Sequence, residues 1–134
     1  MDELLHAAVV LAFNKRGKIL LVRHRETSNR TPWKFGLPER IIDPCKENLE
    51  TAARAALEEM AGLSVAADDL QKLEGFYPAH VWLGPQGHRQ VAYHPFLCSS
   101  YQRDATPTST AYPSWVAIED VRWHPLIPCV YEIV

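Results

Sequence analysis

The sequence predicts a single α/β domain over residues 1–134, built as a mixed β-sheet with helices on both faces. Two observations support this fold class. A segment with helical periodicity, "ENLETAARAALEEMAGLSV", lies at 47–65. Around it, apolar and β-branched segments separated by turn residues give the order β-β-loop-α-β-β-β-α. A chain of 134 residues is also long enough to bury a core of its own.

The first two strands are expected to form a hairpin. "HAAVVLAF" at 6–13 is apolar and rich in β-branched residues, and "KILLVRHR" at 18–25 becomes polar at its end. The intervening "NKRG" supplies a turn, in which Gly17 is available for a positive φ.

A long loop is predicted at 26–44, because Pro32, Gly36, Pro38 and Pro44 interrupt any regular element. Its apolar content is too high for a disordered segment, so short extended pieces are expected within it. Loops of this length in compact domains are usually functional.

The central helix is predicted to begin at Asn48, which is a good N-cap, with Glu50 in the first turn. It is predicted to end at Gly62. The apolar residues at helical spacing form its predicted buried face: Leu49, Ala52, Ala53, Ala56, Leu57 and Met60.

After the helix, "GFYPAHVWL" (75–83) and "RQVAYHPFLCSSY" (89–101) predict a second hairpin, in which Pro95 suggests an edge strand or a bulge. "DATPTSTAYPS" (104–114) is rich in turn residues and predicts a connector. "WVAIEDV" (115–121) predicts a short strand that leads into a helix.

Composition excludes several classes of function. A formal net charge of -2 gives no dense basic surface for a nucleic-acid polymer. The longest apolar runs are far shorter than the roughly 20 residues that span a bilayer. The first residues, "MDELLHAAVV", lack the basic n-region of a secretory signal. The three cysteines, Cys45, Cys98 and Cys129, are far apart, which favours reduced thiols in a cytoplasmic protein.

Four of these segments resemble a known family in order and spacing. The opening strands, "FGLPER", the helical segment and "WVAIEDV…PLIP" resemble the first strands, the W-G-L-P-G-G loop, the helix and the closing elements of Nudix (MutT-like) hydrolases. The resemblance covers most of the chain and implies the Nudix fold, an α/β/α sandwich around a mixed β-sheet. It also implies a ligand in which a nucleoside diphosphate is linked to another group.

The Nudix signature, G-x5-E-x7-R-E-U-x-E-E-x-G-U, contains three helical glutamates at i, i+3 and i+4. This spacing directs all three from one face of a helix. In the family they bind magnesium ions against a diphosphate, and water attacks phosphorus.

Two alignments of this signature are possible. In the first, Gly62 is the terminal glycine and Glu47 is the first glutamate. Ala56 then replaces the first helical glutamate, Glu59 is the second, and Met60 replaces the third.

The second alignment starts from Leu37 and makes Arg54 the signature arginine, with Ala55 at the first helical glutamate and Glu58 and Glu59 as the pair. We favour the first, because an extra residue disturbs a loop less than a packed helix. Both alignments lack the paired glycines and the first helical glutamate, so the signature is degenerate.

The resemblance therefore implies a weak site for Mg²⁺ or Mn²⁺ formed by Glu59, Glu58 and Glu47, with Glu59 and Glu58 as the candidate catalytic residues. Without the resemblance, Glu58 and Glu59 would be an ordinary solvated helix face.

Arg23, Arg25 and Arg40 form a candidate rim for the phosphates, and the alternative is a solvated loop that pairs with nearby acids. Two functions follow. One is a diphosphohydrolase with reduced or altered activity, and the other is an inactive module that binds a ligand or a protein. A homodimer is compatible with the family.

Overall fold

The computed structural model describes residues 4–24, 35–42, 47–82, 87–98, 100–101, 104–108 and 111–123. Its strands and α-helix in chain order are β1 (Leu5–Ala12), β2 (Ile19–His24), β3 (Phe35–Gly36), β4 (Glu39–Ile42), α1 (Leu49–Ala61), β5 (Leu70–Lys72), β6 (Tyr77–Trp82), β7 (His88–Cys98) and β8 (Ala111–Val116). Short 3₁₀ helices cover Ala67–Asp69 and Ile118–Trp123.

Within these residues the strands form two sheets. The larger has the order β4-β1-β7-β5, with β6 also paired to β7, and the smaller has the order β3-β2-β8. β1 and β7 are parallel, whereas the other pairs are antiparallel. The larger sheet is therefore mixed, as the sequence predicts.

The predicted hairpin between the first two strands is wrong. Both strands exist, but β1 lies between β4 and β7, and β2 lies between β3 and β8. Beside the turn that connects them, the two strands share an isolated bridge between Phe13 and Ile19, and the Asn14 N–H donates to the Lys18 carbonyl at 3.0 Å. A two-stranded hairpin leaves one face open to water, whereas Ala7–Ala12 of β1 and Ile19–Val22 of β2 are buried on both faces, so each strand needs neighbours and cover on both sides. The turn after Phe13 therefore takes the chain from one sheet to the other.

Two apolar clusters lie on the two faces of β1 and β2. One joins α1 to the strands through Ala8, Val10, Ala12, Leu20, Val22, Ile42, Ala52, Ala53, Leu57 and Met60. The other includes the alternate strand residues Ala7, Val9, Leu11, Ile19 and Leu21, together with Leu37, Val91 and Tyr93. Side chains of a strand alternate between its faces, so β1 contributes to both clusters.

The helix prediction is confirmed at both ends. Asn48 is extended, and its side-chain oxygen accepts a hydrogen bond from the Thr51 N–H at 2.7 Å. Gly62 ends the helix in the left-handed conformation, and its N–H donates to the Glu58 carbonyl at 3.1 Å. The buried helical residues are Ala52, Ala53, Ala56, Leu57, Met60 and Ala61.

The second hairpin is confirmed, since β6 and β7 pair antiparallel from Tyr77 opposite Tyr93 to Trp82 opposite His88. The edge position suggested by Pro95 is wrong, because β7 is an interior strand. The Pro95 carbonyl accepts from the Leu73 N–H at 2.9 Å, at the break between β5 and β6. Proline has no backbone N–H to donate. At position 95 an N–H would point toward this break, so the proline costs the sheet no regular hydrogen bond.

The last strand begins earlier than predicted. β8 starts at Ala111, so 111–114 belong to a strand rather than to the predicted connector. Pro113 lies opposite Val22, on the outer strand of the smaller sheet in the described residues, where a proline is tolerated. The predicted helix after β8 is a 3₁₀ helix to Trp123, and residues 124–134 lie outside the described residues. No helix in the described ranges is long and apolar enough to cross a bilayer.

The end of α1 yields a stability prediction. A Cβ on Gly62, at φ +68°, would lie 2.5 Å from Oγ1 of Thr106, whereas Gly17, at φ +75°, has nothing within 4 Å. We expect Gly17→Ala to lower the free energy of unfolding by about 1 kcal/mol through backbone strain alone. Gly62→Ala should lower it further, because Thr106 must also move.

Urea unfolding of Gly62→Ala in the wild-type and Thr106→Ala backgrounds measures this contact. We expect Thr106→Ala to remove the excess loss and leave a loss similar to that of Gly17→Ala. Equal losses for Gly62→Ala in both backgrounds would contradict the contact.

A histidine pair joins β1 to β7. Nδ1 of His6 and Nε2 of His94 are 2.9 Å apart, and the ring of Phe76 lies 5.8 Å from that of His94. Burial lowers the pKa of His94, and the positive charges of Lys72 and His6 lower it further. In the folded state protonation of His94 is therefore disfavoured.

The lowered pKa of His94 predicts a loss of stability in acid. The unfolded chain takes up this proton near pH 6.5, whereas the folded chain resists it, so stability is lost as pH falls from about 6.5 through the folded pKa. We expect His94→Gln to reduce the difference in melting temperature between pH 7 and pH 5. His80→Gln, an exposed histidine on β6, is the control. An unchanged difference in His94→Gln would contradict this assignment.

Candidate functional site

The candidate site lies where α1 covers the start of β4. β4 pairs antiparallel with β1, which places Arg40 opposite Ala8. The turn before β4 is fixed by the Val10 N–H, which donates to the Pro38 carbonyl at 2.9 Å, and by the buried side chain of Leu37. The last turn of α1 packs over this region, so residues 59 and 60 lie next to β4.

Arg40 joins two of the predicted glutamates. Its Nη1 donates to both carboxylate oxygens of Glu59, at 2.7 and 3.0 Å, and its Nε donates to Oε2 of Glu47 at 3.3 Å. The side chains of Arg40, Glu47 and Glu59 are 36%, 21% and 53% exposed. We call these three residues the Arg40 triad.

The electrostatics of the triad favour the charged guanidinium. Burial alone lowers the pKa of Arg40, but the charges of Glu59 and Glu47 and their hydrogen bonds raise it, and the net shift is upward. Hydrogen bonds of this kind, between a guanidinium and carboxylates, are stronger than neutral ones. The two carboxylates are therefore held by an internal cation.

The neighbouring helix positions offer no carboxylate. Met60 is buried, and its Sδ accepts from the Glu39 N–H at 3.3 Å. Ala56 is fully buried in α1. Where the first alignment expects two helical glutamates, the chain therefore has a thioether and a methyl group.

The other predicted site residues lie elsewhere or outside the described residues. Glu58 is exposed and lines a shallow groove of about 220 Å³ beside Arg54, whose Nε donates to the Val65 carbonyl at 3.1 Å. Arg23 belongs to the smaller sheet, with its guanidinium carbon 5.3 Å from the ring centre of Tyr112. Arg25 is not among the described residues. The structure thus brings together Glu47, Glu59 and Arg40, whereas Glu58 lines the groove beside Arg54 and Arg23 belongs to the smaller sheet.

Sequence reasoning did not foresee that Arg40 would pair with the glutamates. The relevant signal is a joint one: both alignments place Arg40 at one of the paired glycines of the signature and place an alanine at its first helical glutamate.

The sequence comparison identifies the family. A model described as NUDIX domain matches residues 3–128. The chain belongs to the Nudix family. No curated protein matches this Nudix domain.

Solved structures share the fold of this Nudix domain. A MutT protein from Methanosarcina mazei Go1 superposes with a TM-score of 0.79 at 19% identity, covering 98% of this chain and 90% of that one. A MutT NUDIX hydrolase from Burkholderia pseudomallei gives 0.75 at 17% identity, with coverages of 98% and 95%. The NUDIX domain of Shewanella oneidensis NrtR, crystallised with ADP ribose, gives 0.67 at 21% identity, with coverages of 99% and 84%.

The donor set of the triad differs from what a family-type metal requires. Mg²⁺ prefers oxygen ligands in octahedral geometry. Here two carboxylates already bind a guanidinium, and the adjacent donor is the Met60 sulfur. Within the described part of the chain, no group of three or more His, Cys, Asp or Glu side chains is arranged to bind a metal ion.

The triad predicts that Arg40 and a divalent cation compete for the same two carboxylates. We expect Arg40→Ala to raise the affinity for Mn²⁺ at least about tenfold, since two facing carboxylates lose their internal cation. Calorimetric titration of the wild type and the variant with Mn²⁺ measures the change.

The matched control is Arg40→Ala combined with Glu59→Gln, which should bring the affinity back to the wild-type level. Equal Mn²⁺ affinities in the wild type and Arg40→Ala would contradict the competition.

Proposed function

We propose that this Nudix domain binds a nucleoside diphosphate linked to another group and does not use a family-type metal cluster to hydrolyse it. The observation that supports this is the position of Arg40 between Glu47 and Glu59. For a divalent cation to bind there, the guanidinium has to leave both carboxylates. This favours the inactive ligand-binding module over a diphosphohydrolase with Glu59 and Glu58 as catalytic residues.

The first alignment of the signature is part of the proposal. It predicts that Glu47, Glu59 and the side chain of residue 60 share one site, and the contacts of Arg40 and Met60 support that grouping. The second alignment requires Glu58 in the same site, whereas Glu58 lines a groove beside Arg54.

Local charge determines which residues would meet the diphosphate. One arginine and two glutamates leave the triad with a net negative charge, which disfavours an anion. We therefore give Arg40 a structural role and assign the phosphate contacts to Arg23 in β2 and to Arg25, which lies outside the described residues. Arg23 lies beside the ring of Tyr112, so a cation and an aromatic surface are adjacent there.

The ligand class is supported by two arguments. The family resemblance implies a nucleotide-type ligand with a diphosphate, and the similar NrtR domain was crystallised with ADP ribose. We retain Mg²⁺ or Mn²⁺ only as a weakly bound ion. A cytoplasmic location and a homodimer stay predictions, and the buried free thiol of Cys98 is consistent with a reducing compartment.

ADP-ribose binding with and without metal tests the function. We expect calorimetry to show binding in EDTA, with a dissociation constant that changes less than about twofold when Mg²⁺ is added. Arg23→Gln should weaken binding about tenfold through loss of a charged hydrogen bond. Lys18→Gln, which removes a cation from the residue just before β2, is the control and should bind ADP-ribose as the wild type does.

Chromatography of the nucleotides in the same mixtures distinguishes ligand binding alone from hydrolysis. Under the proposal, ADP-ribose stays intact with either metal. Hydrolysis that depends on Mg²⁺ or Mn²⁺ and disappears in Glu59→Gln would overturn the inactive module. Absence of binding to ADP-ribose, nucleotide sugars, dinucleoside polyphosphates and nucleoside triphosphates would overturn the ligand class.

A further inference from the structure

A second site lies outside the region of the Arg40 triad. A half-open cleft of about 800 Å³ forms where the end of β1, the turn after it, the segment after β7 and β8 meet. The residues that bear on its chemistry are Phe13, Lys15, Arg16, Tyr101, Asp104 and Trp115. Its volume is within the range of small-molecule sites.

The cleft is separate from the site of the proposed function. Arg40 lies opposite Ala8 of β1, and Phe13 is five residues further along the chain. At about 3.3 Å per residue, this places the cleft about 16 Å away. Trp115 is likewise three residues from Tyr112, the aromatic neighbour of Arg23, which is about 10 Å along β8.

One wall of the cleft is aromatic. The rings of Tyr101 and Trp115 stack with their centres 5.6 Å apart at an angle of 23°. Both side chains are half-buried, so part of each ring packs on the core and part remains at the cleft. Aromatic surfaces of this kind stack with planar rings of ligands.

The opposite rim is cationic and rigid. Lys15 and Arg16 are exposed in the turn after β1. Oδ1 of Asn14 accepts from the backbone N–H groups of Arg16 and Lys18, at 3.0 and 2.9 Å, and the Gly17 N–H donates to the Asn14 carbonyl at 3.0 Å. These bonds fix the backbone of the turn, so binding has to order only the side chains of the two cations at the mouth of the cleft.

A single carboxylate completes the polar lining. Asp104 is exposed beside Tyr101, and burial together with the charges of Asp104 and Cys98 raises the pKa of the Tyr101 phenol. The phenol therefore stays protonated. Asp104 accepts hydrogen bonds, so it suits the N–H groups of a heterocycle, while the cations suit an anionic group.

We propose that this cleft binds a planar heteroaromatic ligand that carries a phosphate and an N–H donor, such as a purine nucleoside monophosphate. The ring stacks on Tyr101 and Trp115, the phosphate meets Lys15 and Arg16, and an exocyclic amine donates to Asp104. This inference goes beyond the proposed function and does not depend on it, because no residue of the Arg40 triad contributes.

Calorimetry with AMP and adenosine in EDTA tests the cleft. We expect AMP to bind at least about tenfold more tightly than adenosine, because its phosphate forms charged hydrogen bonds. Lys15→Gln combined with Arg16→Gln should remove this difference and leave adenosine binding unchanged. Lys18→Gln also removes a positive charge from the same turn, but Lys18 does not line the cleft. This control variant should therefore bind AMP as the wild type does.

The position of the ligand is checked by NMR. AMP should shift the ring signals of Tyr101 and Trp115, and Asp104→Asn should weaken AMP more than it weakens a 6-oxo analogue, IMP. AMP affinity that is unchanged in the Lys15/Arg16 double variant would overturn the proposal. Binding lost in Arg23→Gln instead would also overturn it, and would assign AMP to the site of the proposed function.

Discussion

The packing of α1 against β1 and β4 determines the position of each residue in the site. The helix contacts the strands through small side chains, since Ala52, Ala53 and Ala56 are fully buried. Small side chains allow a helix and a sheet to approach closely at normal packing density. Because the helix lies so near, its last turn places Glu59 within 2.7 Å of Arg40 and Met60 within 3.3 Å of the Glu39 N–H. Core packing and site geometry therefore depend on the same contact.

The charge on β4 then distinguishes this domain from the family pattern. In the family signature, three helical carboxylates lie close together and repel one another, and a bound divalent cation offsets this repulsion. Here the carboxylates of Glu59 in α1 and of Glu47 before it both bind Arg40, which supplies a positive charge from the chain itself. Its neighbours are consistent with that change, since Ala56 and Met60 are buried apolar side chains that need no counter-ion. The domain thus has the Nudix fold, and one of its own residues neutralises half of the negative charge of Glu47 and Glu59.

Local signals in the sequence predicted local structure well. The cap at Asn48 and the left-handed end at Gly62 were predicted because each depends on one residue and its immediate neighbours. Strand pairing was predicted poorly, since β1 and β2 are adjacent in sequence but lie in different sheets. The family spacing predicted that Glu47 and Glu59 belong to one site, whereas their contact with Arg40 depends on tertiary packing that brings β4 under α1.

We propose that the guanidinium of Arg40 takes the place of a metal ion between Glu47 and Glu59. NMR of the wild-type protein with ¹⁵N-labelled arginine side chains, during titration with paramagnetic Mn²⁺, tests this most directly. We expect a resolved Arg40 Nε–H signal that persists, with no selective broadening at Glu47 and Glu59, when Mn²⁺ reaches a few equivalents. Loss of the Arg40 signal, together with broadening centred on those two glutamates, would contradict it.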